Sequence, residues 1–207
     1  PSIVYTTLIY SPARLYRSSN TGNNWTHITS GIPTSGIGSR MVIGVSPDDP
    51  AYIYLVQIKS SNATFAGLLL STDSGLNFAV QSTSPNLLGY ECDGSGTASQ
   101  ATYDLCMAVD PNDAATVYVG GINVWKSTDA GVNWTINTHW IGGNYGSCGA
   151  SVHADDHVLE WSPLSGNLYL GHDGGVHFTE DGTNWSEISA GLEIAQMYKL
   201  GQSATVA

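Results

Sequence analysis

The chain has 207 residues, with six Lys+Arg against 17 Asp+Glu and a formal net charge of −11. That balance excludes nucleic acid and anionic membrane surfaces as natural partners, since both repel an acidic protein. No apolar run reaches a membrane-spanning length or reads as a signal peptide, and 24 glycines with few helix-period stretches indicate all-β structure. The opening Pro1-Ser2-Ile3, without Met, reads as that of a mature or excised product.

Taken in chain order, Ile3–Tyr10 and Arg14–Arg17 read as two strands. They lead into the turn sentence Ser18-Ser19-Asn20-Thr21-Gly22-Asn23-Asn24-Trp25. It returns as Ser71-Thr72-Asp73-Ser74-Gly75-Leu76-Asn77-Phe78 and Ser127-Thr128-Asp129-Ala130-Gly131-Val132-Asn133-Trp134. One residue shorter, it returns again as Thr179-Glu180-Asp181-Gly182-Thr183-Asn184-Trp185. Asn20, Asp73, Asp129 and Asp181 can bond backbone amides ahead of them, Gly supplies a positive φ, and Trp25, Phe78, Trp134 or Trp185 buries a ring beside the next strand.

Between these corners lie Met41–Val45, Leu105–Val109 and Val158–Trp161, each ending at a Pro turn and followed by a second apolar strand. Each unit is therefore four short strands, and four-stranded units at a period near 50 residues are the blades of a β-propeller. The expected blades are roughly 1–38, 39–102, 103–152 and 153–195, with 196–207 as an extra inner strand; the first blade lacks its own. That strand would close the disc within one chain, clasp a second copy into a ring or filament, or continue into a larger propeller.

In antiparallel blades the four corners share one face of the disc. The long crossings 81–102 and 138–152 emerge on the other, where binding groups are expected. Tyr90, Trp140 and Tyr145 on these crossings are candidate ligand-stacking rings. On a strand, His153, Asp155 and His157 would point the same way, giving either a divalent-metal set or a hydrogen-bonded polar plug at the channel mouth. Arg40, Tyr103 and Asp104 occupy comparable places in other blades and join the candidate ligand site. Cys92 and Cys106 bracket a Gly/Ser/Thr-rich loop and are the favoured disulfide, worth about 3 kcal/mol in the chain-entropy model. Cys148 is an alternative partner of either, and one disulfide points to an oxidising location.

The four corners resemble Asp-boxes, or BNR repeats, of sialidases, sortilin-type Vps10 domains and two-propeller xyloglucanases. The stretch from Tyr103 to Thr205, with His153-Ala154-Asp155-Asp156-His157 and Gly171-His172-Asp173-Gly174-Gly175, resembles secreted Asp-box propellers of Bacteroidetes-like bacteria. The resemblance implies an Asp-box β-propeller and leaves activity open, since one fold hosts many functions. A sialidase would need three arginines around its substrate carboxylate. This chain has only Arg14, Arg17 and Arg40, two of them flanking an outer strand. A xyloglucanase needs two acids facing each other across a cleft between two propellers, for which Asp104 or Asp155 would be one. The expectation is a secreted, extracellular or cell-surface module without cofactor, for glycan or protein binding or self-assembly; the alternative is a xyloglucanase-like glycoside hydrolase fragment.

Overall fold

The structure is a computed structural model that describes residues 2–141 and 148–192. It is all-β. The first sheet comprises β1 (Val4–Leu8), β2 (Arg14–Ser18) and β3 (Thr26–Ile28); the second, β4 (Ile37–Val45), β5 (Ile53–Lys59), β6 (Phe65–Ser71) and β7 (Ala79–Ser82). The third comprises β8 (Cys106–Asp110), β9 (Asp113–Gly120), β10 (Val124–Ser127) and β11 (Thr135–Ile136). After a short parallel ladder of β12 (Thr138–His139) and β13 (Ala150–Ser151) comes the fourth, β14 (Asp156–Trp161), β15 (Leu168–His172), β16 (Gly175–Thr179) and β17 (Trp185–Glu187). Strands within each blade run antiparallel in chain order, which is the β-propeller arrangement.

Alternation along the strands builds the core. Ile53 and Leu55 of β5 pack with Leu15, Ile28 and Phe78 toward the first blade, while Tyr54, Val56 and Ile58 face Val117, Val119 and Trp125 of the third. Tyr118, Val124, Leu159, Leu168 and Leu170 form a further cluster between the third and fourth blades. Strands buried on both faces thus read as continuous apolar runs. Contacts pass from β1 to β4, to β8 and to β14, so the blades follow an arc. Among the described residues, no hydrophobic cluster joins the fourth blade to the first. The expected extra inner strand at 196–207 lies outside the described residues.

The corners follow one plan. The Ser18, Ser71 and Ser127 hydroxyls each accept the N–H of the corner glycine, Gly22, Gly75 or Gly131, at 2.9 Å. Asp73 Oδ1 accepts the Asn77 N–H at 2.9 Å and its Oδ2 accepts Asn77 Nδ2 at 2.7 Å, and Asp129 and Asp181 repeat this with Asn133 and Asn184. These donors pull Asp73 down to about 2 and lower Asp129 and Asp181 as well. The aromatic that follows reaches back to the preceding blade. Trp134 Nε1 donates to Ser82 Oγ at 2.9 Å, and Trp185 Nε1 to Asn137 Oδ1 at 2.7 Å.

Candidate functional site on the crossing face

Two long crossings are tied together by a disulfide between Cys92 and Cys148, with Cα atoms 5.5 Å apart. This corrects the favoured pairing of Cys92 with Cys106. Cys106 is a free, buried thiol on β8, opposite Gly120 of β9, whereas Cys92 and Cys148 both lie on crossings. Beside the bridge, the Tyr90 and Trp140 rings meet edge to face with centroids 6.1 Å apart, and Trp140 remains 40% exposed. Trp140 Nε1 donates to the Tyr90 carbonyl at 3.2 Å. Fully buried Asn123 donates to the Gly89 carbonyl at 3.0 Å and accepts the Trp140 N–H at 3.1 Å, holding the two crossings in register. Asn123 was not singled out; its signal is a lone amide between Ile122 and Val124. Tyr145 lies outside the described residues.

His153, Asp155 and His157 do not share one strand face, a second correction. β14 begins only at Asp156, Asp155 has a left-handed φ of 66°, and the register with β15 shifts between Asp156 and Val158. The strand alternation needed to align the three is thus broken at its centre. His153 stacks on His172 at 5.6 Å, Asp155 Oδ1 accepts Gln100 Nε2 at 3.0 Å, and His157 Nε2 pairs with Asp173 Oδ1 at 2.9 Å. Tyr103 completes the last group. Its hydroxyl donates to Asp173 Oδ2 at 3.0 Å, and its ring meets His157 edge-on at 4.9 Å. Among the described residues, no three His, Cys, Asp or Glu side chains are arranged to hold a metal ion, so the expected metal triad does not form.

Behind this surface lies a second histidine pair that sequence reasoning missed. His172 Nε2 and His177 Nδ1 are 2.7 Å apart, and the Gly174 N–H donates to His172 Nδ1 at 3.1 Å. That acceptor role leaves the proton of neutral His172 on Nε2, which donates to His177. Burial, followed by the His177 and His153 charges, lowers His172 to about 4; burial also lowers His177.

Deeper, Asp104 and Asp156 are 0% and 1% exposed. Burial, with a further push from Asp155, raises Asp104 to about 7, and burial with the Asp104 charge raises Asp156 well above the usual carboxylate range. Arg40 forms no ion pair with Asp104. Its guanidinium donates to the carbonyls of Ala101 at 3.4 Å and Leu105 at 3.2 Å, clamping the turn that precedes β8. Arg14 and Arg17 lie far round on β2, Arg14 over the Tyr10 ring at 4.4 Å and Arg17 bonded to the Ser74 carbonyl at 2.7 Å.

No family model and no curated protein matches the chain. Solved structures do. The GH74 xyloglucanase from Xanthomonas campestris is similar at 19% identity and a TM-score of 0.59, over 99% of this chain and 30% of that one. The GH74 enzyme of Niastella koreensis is similar at 18% identity and 0.59, over 89% and 28%. The Malassezia sympodialis allergen Mala s 1 is similar at 12% identity and 0.55, over 86% and 56%. At these identities the likeness shows the β-propeller fold alone. The chain spans less than a third of the GH74 chains it matches.

Proposed function

We propose that this chain is a non-catalytic, extracellular module of Asp-box type that binds a glycan or protein through its crossing face. The observation that carries this reading is the Tyr90–Trp140 pair. Two rings from different crossings are brought together beside a disulfide, with a buried Asn123 fixing their backbones. Such a preorganised, half-exposed aromatic pair suits stacking against a sugar or an apolar side chain, because little order remains to be gained on binding. The disulfide supports an oxidising, extracellular or cell-surface setting.

Self-association is the partner best supported by the first blade. Its β1 holds the place of β5, β9 and β15, yet pairs only with β2 among the described residues. An apolar groove of about 640 Å³, lined by Ile3, Val4, Tyr5, Ile43, Val45 and Ala51, lies beside it. An unpaired edge is a template for another strand, supplied by a second copy in a ring or filament, or by a continuation of the propeller. A glycan array with the wild type and Trp140→Ala, run beside concentration-dependent light scattering, tests both parts. Binding lost in the variant supports the module; no binding to any glycan or protein ligand and a strict monomer remove it.

The fold shared with GH74 enzymes favours one second reading, a glycoside hydrolase fragment in which Asp155 or Asp104 acts as one of two acids. Asp104 is fully enclosed and Asp155 is held by Gln100, so neither is placed to meet a glycosidic bond without rearrangement. β-glucan hydrolysis that falls in Asp155→Ala would establish this reading over the first.

A further inference from the structure

One layer of side chains at the inner edge repeats with the blades. Seven residues before Pro47, Pro111 and Pro163 stand Arg40, Asp104 and Asp156. Arg40 lies within inner strand β4, Asp104 two residues before β8 and Asp156 at the start of β14, and these strands contact one another in turn. Arg40 is occupied with two backbone carbonyls. All four oxygens of Asp104 and Asp156 are buried and accept no hydrogen bond from any described group. The backbone N–H groups of Asp104 and Gly121 offset part of the burial cost, but each donates to a carbonyl, that of Gln100 and that of Asn123, at 3.2 Å. Two adjacent buried carboxylates without donors are strongly unfavourable unless protons or a cation neutralise them.

We propose that Asp104 and Asp156 bind a divalent cation of the calcium class between the third and fourth blades. Three arguments select that ligand. The charged groups that face the pair are Asp155 and Arg40, with His157 held by Asp173 and the Cys106 thiol buried and kept neutral. With both carboxyls ionised, three carboxylates and one guanidinium leave a charge of about −2, which one divalent ion cancels and one monovalent ion does not. The donors are oxygens, and no third His, Cys, Asp or Glu converges with them among the described residues. The remaining positions must then come from carbonyls and water, the coordination habit of calcium rather than the closed nitrogen and sulfur shell of zinc. This site differs from the His153, Asp155 and His157 set, and it would pin the blade interface rather than take part in ligand binding.

The test uses the whole chain, stripped with EDTA and dialysed, then titrated with calcium chloride while melting is followed, with metal analysis of the protein as purified. The expected result is a saturable rise in Tm, one calcium retained per chain, and loss of both in Asp104→Asn and in Asp156→Asn, while Asp173→Asn keeps them. If the Asn variants do not fold, retention of calcium by the wild type alone decides. Absence of both the Tm shift and retained metal in the wild type overturns the proposal. So does a shift that survives in both Asn variants, or retention of zinc that is lost in Cys106→Ser.

Discussion

The two faces of the arc of blades are built by opposite rules. On the corner face one plan is repeated four times, with the same serine or threonine hydroxyl, the same carboxylate or amide and the same asparagine at equivalent places. On the crossing face nothing of this kind repeats: the two long crossings share a disulfide and two rings, while Tyr103 joins His157 of β14 and Asp173 of the β15–β16 turn in a separate group. Repetition marks what every blade needs in order to stack. The departures from it mark where this chain differs from a generic propeller, and there its candidate chemistry lies.

The largest expected effect separates interior corners from the terminal one. A methyl group built on Gly131 would overlap Leu68 Cδ2 of the second blade, and Gly131 has a φ of 83°. Gly22 has a φ of 91° but meets only Trp25 of its own corner, because no described blade precedes it. Gly131→Ala should therefore lose about 3 kcal/mol, conformational strain plus overpacking, and Gly22→Ala about 1 kcal/mol from strain alone. Urea melts of the two variants give the comparison; equal losses would mean that the corner glycines matter only for backbone conformation. The rings repeat the contrast. Phe78 is 6% exposed and Trp25 is 43% exposed, so Phe78→Ala should lose about 3 kcal/mol and Trp25→Ala under about 1 kcal/mol.

Acid should find the two faces at different pH. His172 is lowered from 6.5 to about 4, so between those values the unfolded chain takes up a proton that the folded chain refuses, and stability falls as pH drops through that window. Asp73 is lowered from 3.8 to about 2, so its stabilisation is complete above about 4 and is lost only as pH falls from there toward 2. Melting His172→Phe and Asp73→Asn against wild type isolates each from other titrating groups. The His172 variant should flatten the slope between pH 6.5 and 4.5, and the Asp73 variant only below 4. A His172→Phe profile parallel to wild type above pH 4.5 would remove the histidine pair from the acid response.

The same division explains what could be read from the sequence. The blades were legible because Asp73 and Asp129 sit five residues before Phe78 and Trp134, and Asp181 four before Trp185, a near-constant spacing that a local turn imposes wherever it occurs. The disulfide was not, because Cys106 and Cys148 are equally reasonable partners of Cys92 until β8 places Cys106 inside a blade. The stretch 153–157 failed for a different reason. Alternation assumes an extended strand, and the left-handed Asp155 turns the chain just before β14, so Asp156 rather than Asp155 goes inside. The signal was present in the spacing of Arg40, Asp104 and Asp156 from their prolines, which aligns the inner strands without any assumption about alternation. The pairing of His172 with His177 joins residues across the turn between β15 and β16, and only the hairpin register brings them together.

The smallest expected effect is a gain, and it returns to the first corner. Asn20 Oδ1 accepts the Asn24 N–H at 2.9 Å and the Ser18 hydroxyl at 2.9 Å, as the carboxylates do elsewhere. The other corners use their second carboxylate oxygen to accept the asparagine side-chain amide, at 2.7 Å from Asn77 and from Asn133 and 2.6 Å from Asn184. In the first corner the equivalent amide belongs to Asn24, and Asn20 carries an NH₂ group in place of the second carboxylate oxygen, so it offers that amide no second acceptor. Asn20→Asp supplies the missing acceptor in a position open to solvent, where a net gain of about 0.5–1 kcal/mol is expected. The gain should fall away as pH drops below about 4, as the Asp73 stabilisation does, and should be absent in the double variant with Asn24→Ala. A neutral or destabilising Asn20→Asp at pH 7 would show that the terminal corner is limited by its missing neighbour blade and not by its own hydrogen bonds.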